Sequence, residues 1–302
     1  MKLGVVGMGW VGASVAASIL HKGVASELLL NDLREELAEG EAMDLAHGSS
    51  FYPTATVRAA SIEDMIDADA VIIAAGKGGG PEESRLDLLR INAAIIKGIA
   101  ERLAGMRGLL VILTNPVDVM TRIAAEASGL PFARVIGTGT MLDTARLRST
   151  LGTSLAIEPR SIHAQVVGEH GDSEVVLWSS ARLGGLPLRK WPGWDRNKEQ
   201  AIATEVRTAA YEIIARKGAT NHAIGLVTAA LLKWTLSGAR RIVTVSRMQE
   251  GTAGLRDVAI SLPTIVGSKG ATKVIEPEMD GDEREALERS AEVLRRAYEA
   301  MQ

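Results

Sequence analysis

The chain has 302 residues, 46% of them hydrophobic and 24% charged, with a formal net charge of −3. That balance describes a water-soluble globular protein with room for two lobes, and the scattered Lys and Arg residues exclude a nucleic-acid groove or an anionic membrane surface as the organising feature. With no cysteine there are no disulfides, thiolate chemistry or zinc–thiolate sites, and no other motif has metal-ligand spacing, so no metal is expected and a reducing, cytoplasmic setting is compatible.

The first stretch resembles a short signal peptide, because residues 3–20 carry no charge and follow Met1-Lys2. Glycines at positions 4, 7, 9 and 12 argue against that reading, since they interrupt an apolar helix. They have a better use. Lys2-Leu3-Gly4-Val5-Val6 reads as a buried strand, and Gly7-Met8-Gly9-Trp10-Val11-Gly12 then opens the helical run from Ala13 to Leu20. Strand, glycine turn and helix in that order bring a bare backbone and a helix N-terminus to a pyrophosphate. A second strand, Glu27-Leu28-Leu29-Leu30-Asn31-Asp32, ends in an acid about 20 residues beyond Gly12, the position that binds ribose hydroxyls and repels the 2′-phosphate of NADP. Gly7, Gly9, Gly12 and Asp32 are therefore expected to bind NAD.

Strands continue at residues 55–58, 70–76, 109–114 and 134–137, mostly separated by helices such as residues 86–103. The alternation predicts a doubly wound parallel sheet, with ligands at the carboxyl ends of its strands. Those ends carry Gly76, Thr114-Asn115-Pro116 and Thr138-Gly139-Thr140. After Gly76 runs Lys77-Gly78-Gly79-Gly80-Pro81-Glu82-Glu83-Ser84-Arg85, a glycine-rich loop. It is either a closing lid that delivers the Arg85 guanidinium or an ordinary surface loop.

In the second half, Asp143 and Arg146 share one face of a helix, which suits a surface ion pair or a working pair, and Arg148 points elsewhere. Residues 162–167 read as a strand leading to Gly168-Glu169-His170-Gly171-Asp172. His170 between glycines suits proton transfer, and His163 on the same strand faces the opposite way. A long helix spans about residues 198–217, another begins near 219, strands follow at 241–245 and 257–261, and residues 267–270 make a turn. The last helix, from about Asp282, aligns Leu287, Ala291, Leu294 and Tyr298 on one face. The fold class expected is α/β: a Rossmann doubly wound parallel sheet in residues 1–140, followed by an α+β substrate domain in residues 141–302.

Six motifs in this order resemble the L-lactate/malate dehydrogenase family, the bacterial NAD-dependent L-lactate dehydrogenases most of all. They are Gly7 to Gly12 with Asp32; Glu83-Ser84-Arg85-Leu86; Asn115-Pro116-Val117-Asp118; Asp143-Thr144-Ala145-Arg146; Gly168-Glu169-His170-Gly171-Asp172; and Lys217-Gly218-Ala219-Thr220. The resemblance implies that His170 exchanges the proton, Asp143 orients it, Arg146 holds the substrate carboxylate and Arg85 polarises the carbonyl. It places Asn115 near nicotinamide and substrate, and Thr220 and Ile224 along their pocket, with Gly76 on the cofactor. It further implies a cytoplasmic enzyme of glycolysis and pyruvate fermentation, a homotetramer or homodimer, with Arg148 and His163 binding the allosteric effector fructose bisphosphate.

The chain departs from the family at Gly79, the position where lactate dehydrogenases carry Gln and malate dehydrogenases Arg. Glycine offers no cation for a second carboxylate, which weakens malate although Lys77 could reach in, and it leaves room for the branched acids of hydroxyisocaproate dehydrogenases. Lys217-Gly218-Ala219-Thr220 favours L-lactate. A non-catalytic NAD(H) sensor is the alternative from another class, and the intact proton-transfer set argues against it.

Overall fold

The computed structural model describes residues 1–79 and 84–301, the side chain of Arg85 excepted. Its first half alternates β1 (Lys2–Val6), α1 (Trp10–His21), β2 (Glu27–Asn31), α2 (Glu35–His47), β3 (Thr56–Ala59), β4 (Ala70–Ile73), α3 (Arg85–Arg102), β5 (Leu109–Ile112), α4 (Val117–Ser128) and β6 (Val135–Gly137). Strands β4 and β5 are buried along their whole length, as continuous apolar runs must be when helices cover both faces of a sheet. The six strands pair in parallel in the order β3-β2-β1-β4-β5-β6, and the order reverses between β1 and β4. A crevice for a ligand opens at that reversal, outside the carboxyl ends of the strands.

The second half comprises α5 (Met141–Leu155), β7 (Ile162–His163), β8 (Val166–Val167), β9 (Val175–Val176), β10 (Arg182–Leu183), β11 (Leu186–Pro187), α6 (Lys198–Lys217), α7 (His222–Leu236), β12 (Arg241–Glu250), β13 (Arg256–Gly267), β14 (Gly270–Val274) and α8 (Gly281–Glu299). Two expectations need correction. The 162–167 strand breaks at Ala164-Gln165, so β7 joins β10 and β11 while β8 pairs with β9, and the alternation argument that set His163 against His170 does not apply across the break. Strands β12 and β13 are also longer than the sequence pattern indicated. With β14 they add antiparallel to β6 and carry the first sheet on to nine strands.

This extension positions the site, because β13 lies beside the segment after β8. Gly168 and Ser261 exchange backbone hydrogen bonds of 3.0 and 3.1 Å. Helix α8 starts with a reciprocal cap in which the Asp280 side chain accepts the Glu283 N–H while Glu283 accepts the Asp280 N–H, each at 3.0 Å. Its expected face is buried at Leu287, Ala291 and Leu294. Burying each leucine contributes about 1.5–3 kcal/mol, enough to seat the helix and deliver the buried Ser290 beneath the same segment.

Candidate active site

At the cofactor end, Gly7 has φ +96°, and a Cβ on Gly12 would lie 1.8 Å from the Gly7 carbonyl oxygen. Only glycine lets α1 start this close to the turn. Nothing stands within 4 Å of a Cβ built on Gly9, and the first turn of α1 has no acidic residue, so an open cradle meets the positive end of a helix dipole. Asp32 Oδ2 accepts the Met8 N–H at 2.7 Å and Oδ1 accepts the Arg34 N–H at 3.0 Å. The acid braces the turn, and each oxygen keeps a second lone pair for a ribose hydroxyl. The residues present fit a dinucleotide.

Further along the crevice, Asn92 on α3 is buried and accepts the Lys77 N–H at 2.7 Å while donating to the Asn115 carbonyl at 3.1 Å. It ties the start of the loop after β4 to the end of β5. Gly76, Gly79 and Asn115 are exposed there, and a Cβ on Gly79 would approach the tip of Leu88 at 2.9 Å. Residues 80–83 and the Arg85 side chain, where the expected loop and its guanidinium fall, lie outside the described residues. Thr220 is half-buried between α6 and α7, beside Asn221, whose side chain donates to Ser14 Oγ of α1 at 2.8 Å. Ile224, on the first turn of α7, packs half-buried against the core shared with α1.

The surroundings of His170 are assembled from distant segments. Thr140, following β6, donates through Oγ1 to the Val166 carbonyl at 2.6 Å and through its N–H to Ser261 Oγ at 3.1 Å. Beyond Gly168, the Glu169 N–H donates to Ser290 Oγ at 2.8 Å, and the His170 N–H to Asp118 Oδ2 at 2.7 Å. The His170 ring meets Asp143, with Nδ1 at 2.5 Å from Oδ2, and Arg146 Nη1 donates to the other Asp143 oxygen at 2.7 Å. Asp143 is 3% exposed and His170 26%, so the carboxylate is sealed while the ring stays partly open to solvent. The pair on α5 is thus a buried bridge between cation and imidazole instead of a surface ion pair.

Burial alone would pull the imidazole down, but the charge and hydrogen bond of Asp143 override it and raise His170 to about 9. Burial likewise pushes Asp143 up, and His170 and Arg146 together hold it below the usual carboxylate range. At neutral pH the ring is therefore a cation, its Nδ1–H given to Asp143 and its Nε2 not engaged by that carboxylate. Arg148 and His163 are set apart from this centre. Arg148 is half-buried and donates through Nε to the Ala164 carbonyl at 3.0 Å, next in sequence to the exposed His163. It lines a cleft with Arg160, Gln165 and Trp234, where burial and the neighbouring Arg241 charge pull its guanidinium down.

Sequence reasoning left three residues unassigned that the structure brings to the site: Asn92, Asp118 and Glu174. Asn92 had a signal, a lone amide on the helical stripe of Leu89, Ile96 and Leu103. Asp118 stood inside a quoted motif. Glu174, 5% exposed, had none.

Residues 1–137 match the lactate/malate dehydrogenase NAD binding domain and residues 140–302 the lactate/malate dehydrogenase alpha/beta C-terminal domain. The chain belongs to the lactate/malate dehydrogenase family. It is 42% identical over 308 residues to L-lactate dehydrogenase of Thermus aquaticus, covering 100% of this chain and 99% of that one. L-lactate dehydrogenase of Kosmotoga olearia is 39% identical over 311 residues, covering 100% and 96%. Among solved structures, the ligand-bound minor L-lactate dehydrogenase of Enterococcus mundtii superposes with a TM-score of 0.97 at 37% identity, covering 100% of this chain and 98% of that one. No helix among the described residues is long and apolar enough to cross a membrane.

Proposed function

We propose that this protein is an NAD-dependent L-lactate dehydrogenase, reducing pyruvate and oxidising L-lactate. The observation that carries the reading is the buried Arg146–Asp143–His170 bridge, on a chain that aligns along its full length with L-lactate dehydrogenases. Gly7, Gly9, Gly12, Asp32, Gly76, Asn115 and Ile224 would hold the dinucleotide, which would supply the hydride for reduction as NADH and accept it in oxidation as NAD+. His170, a cation below about pH 9, donates a proton to the ketone oxygen from Nε2 while Asp143 steadies the charge it carries. Arg146 has N–H groups beyond the one given to Asp143, and its planar fork suits a carboxylate. Arg85, from its sequence position, polarises the carbonyl, and Asn115 and Thr220 line the substrate pocket. Residues 1–140 form the cofactor domain in this reading and 141–302 the substrate domain.

The test is initial-rate oxidation of NADH with pyruvate, oxaloacetate and 2-oxoisocaproate, compared as kcat/KM. Preference for pyruvate supports the reading. Preference for 2-oxoisocaproate means that the exposed Gly79 has widened the pocket, preference for oxaloacetate assigns the enzyme to malate, and NADH binding without turnover leaves a sensor. His170→Ala and Arg85→Ala should each lose at least ~10²-fold in turnover.

The reading extends to a cytoplasmic homotetramer serving glycolysis by pyruvate fermentation, with fructose bisphosphate bound by Arg148 and His163. Support for the effector is the cluster of Arg148, Arg160 and Arg241 near the strand that carries His163, a setting suited to phosphates. Fructose bisphosphate should lower the KM for pyruvate and raise the oligomer's thermal stability. Arg148→Gln should lose both effects.

A further inference from the structure

The segment Asn115-Pro116-Val117-Asp118 leads from β5 into α4, and the roles assigned above use only Asn115. Asp118 is 1% exposed, yet its Oδ2 accepts the backbone N–H of His170 at 2.7 Å across 52 positions of sequence. Its Oδ1 is buried beside the buried hydroxyl of Ser246 on β12, which favours the carboxylate, and neither atom has another partner among the described residues. An acid placed only to favour the start of a helix does its work from the exposed surface and carries no desolvation cost. A sealed carboxylate aimed at the segment after β8 needs another explanation.

We propose that Asp118 is a positioning residue of the active site: it anchors the His170 backbone from behind while Asp143 holds the ring, and its charge favours the imidazolium. This rests on His170 being the proton-transfer group. With the N–H and the ring each held by a separate buried carboxylate, the imidazole has little freedom to swing, and sub-ångström placement of an acid matters greatly to rate. The charged groups facing Asp118 are His170 and Glu169 from the segment after β8, with Asp143 of α5 beyond the ring. From β12 comes the neutral Ser246, and from α8 the neutral Ser290, which takes the Glu169 N–H. Burial pushes Asp118 up to about 6, against the pull of Ser246 and of the His170 N–H. Between about pH 6 and 9 Asp118 and Asp143 are therefore both carboxylates beside the imidazolium, with Arg146 bonded to the other oxygen of Asp143.

The experiment follows the His170 imidazole by NMR titration of the full chain, its signal assigned by its absence in His170→Gln, in wild type and in Asp118→Asn. The carboxamide can still accept the His170 N–H and can donate to Ser246, so the anchor stays while the charge goes. The titration should fall by about one pH unit, the effect of losing one nearby opposite charge. The basic limb of kcat/KM for 2-oxo acid reduction should move with it, and NADH affinity should stay as in wild type. Asp118→Ala, which removes the anchor as well, should lose at least ~10-fold in kcat. If Asp118→Ala does not fold, the Asn variant decides alone. A His170 titration in Asp118→Asn superimposable on wild type overturns the proposal and leaves Asp118 as a helix-start acid. A lowered titration in Asp118→Asn, when the wild-type chain turns over no 2-oxo acid, upholds the action of Asp118 on His170 and overturns only the dehydrogenase reading, so the two failures are told apart.

Discussion

The two ends of the crevice are built on opposite plans. At the cofactor end, a turn and the first turn of α1 do most of the work with bare backbone, and the side chain that braces it among the described residues, Asp32, comes from just past the adjacent strand, 24 positions on. At the His170 end, the fixing contacts of residues 168–170 arrive from 27, 52, 93 and 121 positions away, and most are side chains. The first end is a shape that tolerates no added atom at Gly7 or Gly12. The second is an electrostatic assembly in which atoms can be exchanged for isosteres and only the charges lost. Substitutions should therefore separate the two: steric changes should cost binding at the first, and isosteric changes should cost rate at the second.

The largest effect expected is from Asp143→Asn. It preserves size but leaves the His170 cation without the charge that supports it, so kcat should fall at least ~10²-fold with NADH affinity retained. The pH profile gives the mechanism's sign. Only the imidazolium can donate, so wild-type reduction should hold up to about pH 9 and fall above it, while oxidation, which needs the neutral ring, should rise toward the same value. In the Asn variant both limbs should move to lower pH. Unchanged limbs would mean that another group exchanges the proton.

Gly12→Ala tests the other plan. A single methyl would meet the Gly7 carbonyl at 1.8 Å, and neither backbone can retreat without moving α1 off the turn. NADH affinity, read by fluorescence titration, should weaken at least ~10-fold, more than 1.4 kcal/mol of binding. The His170 titration should not move. If Gly12→Ala shifts it, the two ends are coupled and the contrast between them fails.

How far each end was legible follows from these plans. The glycines, Asp32 and the parallel strand order are written locally, as a run of spacing and apolar periodicity, and the six parallel strands formed where that pattern placed them. The antiparallel extension was not legible, because nothing in residues 241–267 states that β12 must lie against β6 and not in a separate sheet. The site divided likewise. His170, Asp143 and Arg146 were named as motif members, yet helical spacing alone left Asp143 and Arg146 indistinguishable from a surface pair. Burial to 3% and the 2.5 Å contact with His170 decide the matter, and both depend on tertiary packing. Asp118, Asn92 and Glu174 escaped for the same reason, since each works on a partner far along the chain or on a charge brought near only by folding.

Glu174 gives the smallest effect, and it belongs to the electrostatic end. It lies four positions beyond His170, just before β9, with Oε1 buried and without a hydrogen-bond partner among the described residues. Burial first, then the Asp143 charge, push its carboxyl up to about 8, against the pull of His170, Arg207 and Arg146. A group whose folded value is raised contributes stability that is complete below its ordinary value of 4.5 and is lost as pH rises through 8. Glu174→Gln keeps the shape and takes no part in that titration. Urea unfolding should therefore find the variant close to wild type near pH 4.5 and more stable by about 1–2 kcal/mol at pH 8, after discounting for relaxation around the buried charge. A variant less stable than wild type at pH 8 would mean that ionised Glu174 is held by a charge partner, with Arg207, whose Nε is buried and unpartnered, the residue to substitute next. The Gly12→Ala protein should keep the wild-type slope of stability against pH even as its cofactor affinity falls, because steric exclusion at the turn takes up no proton.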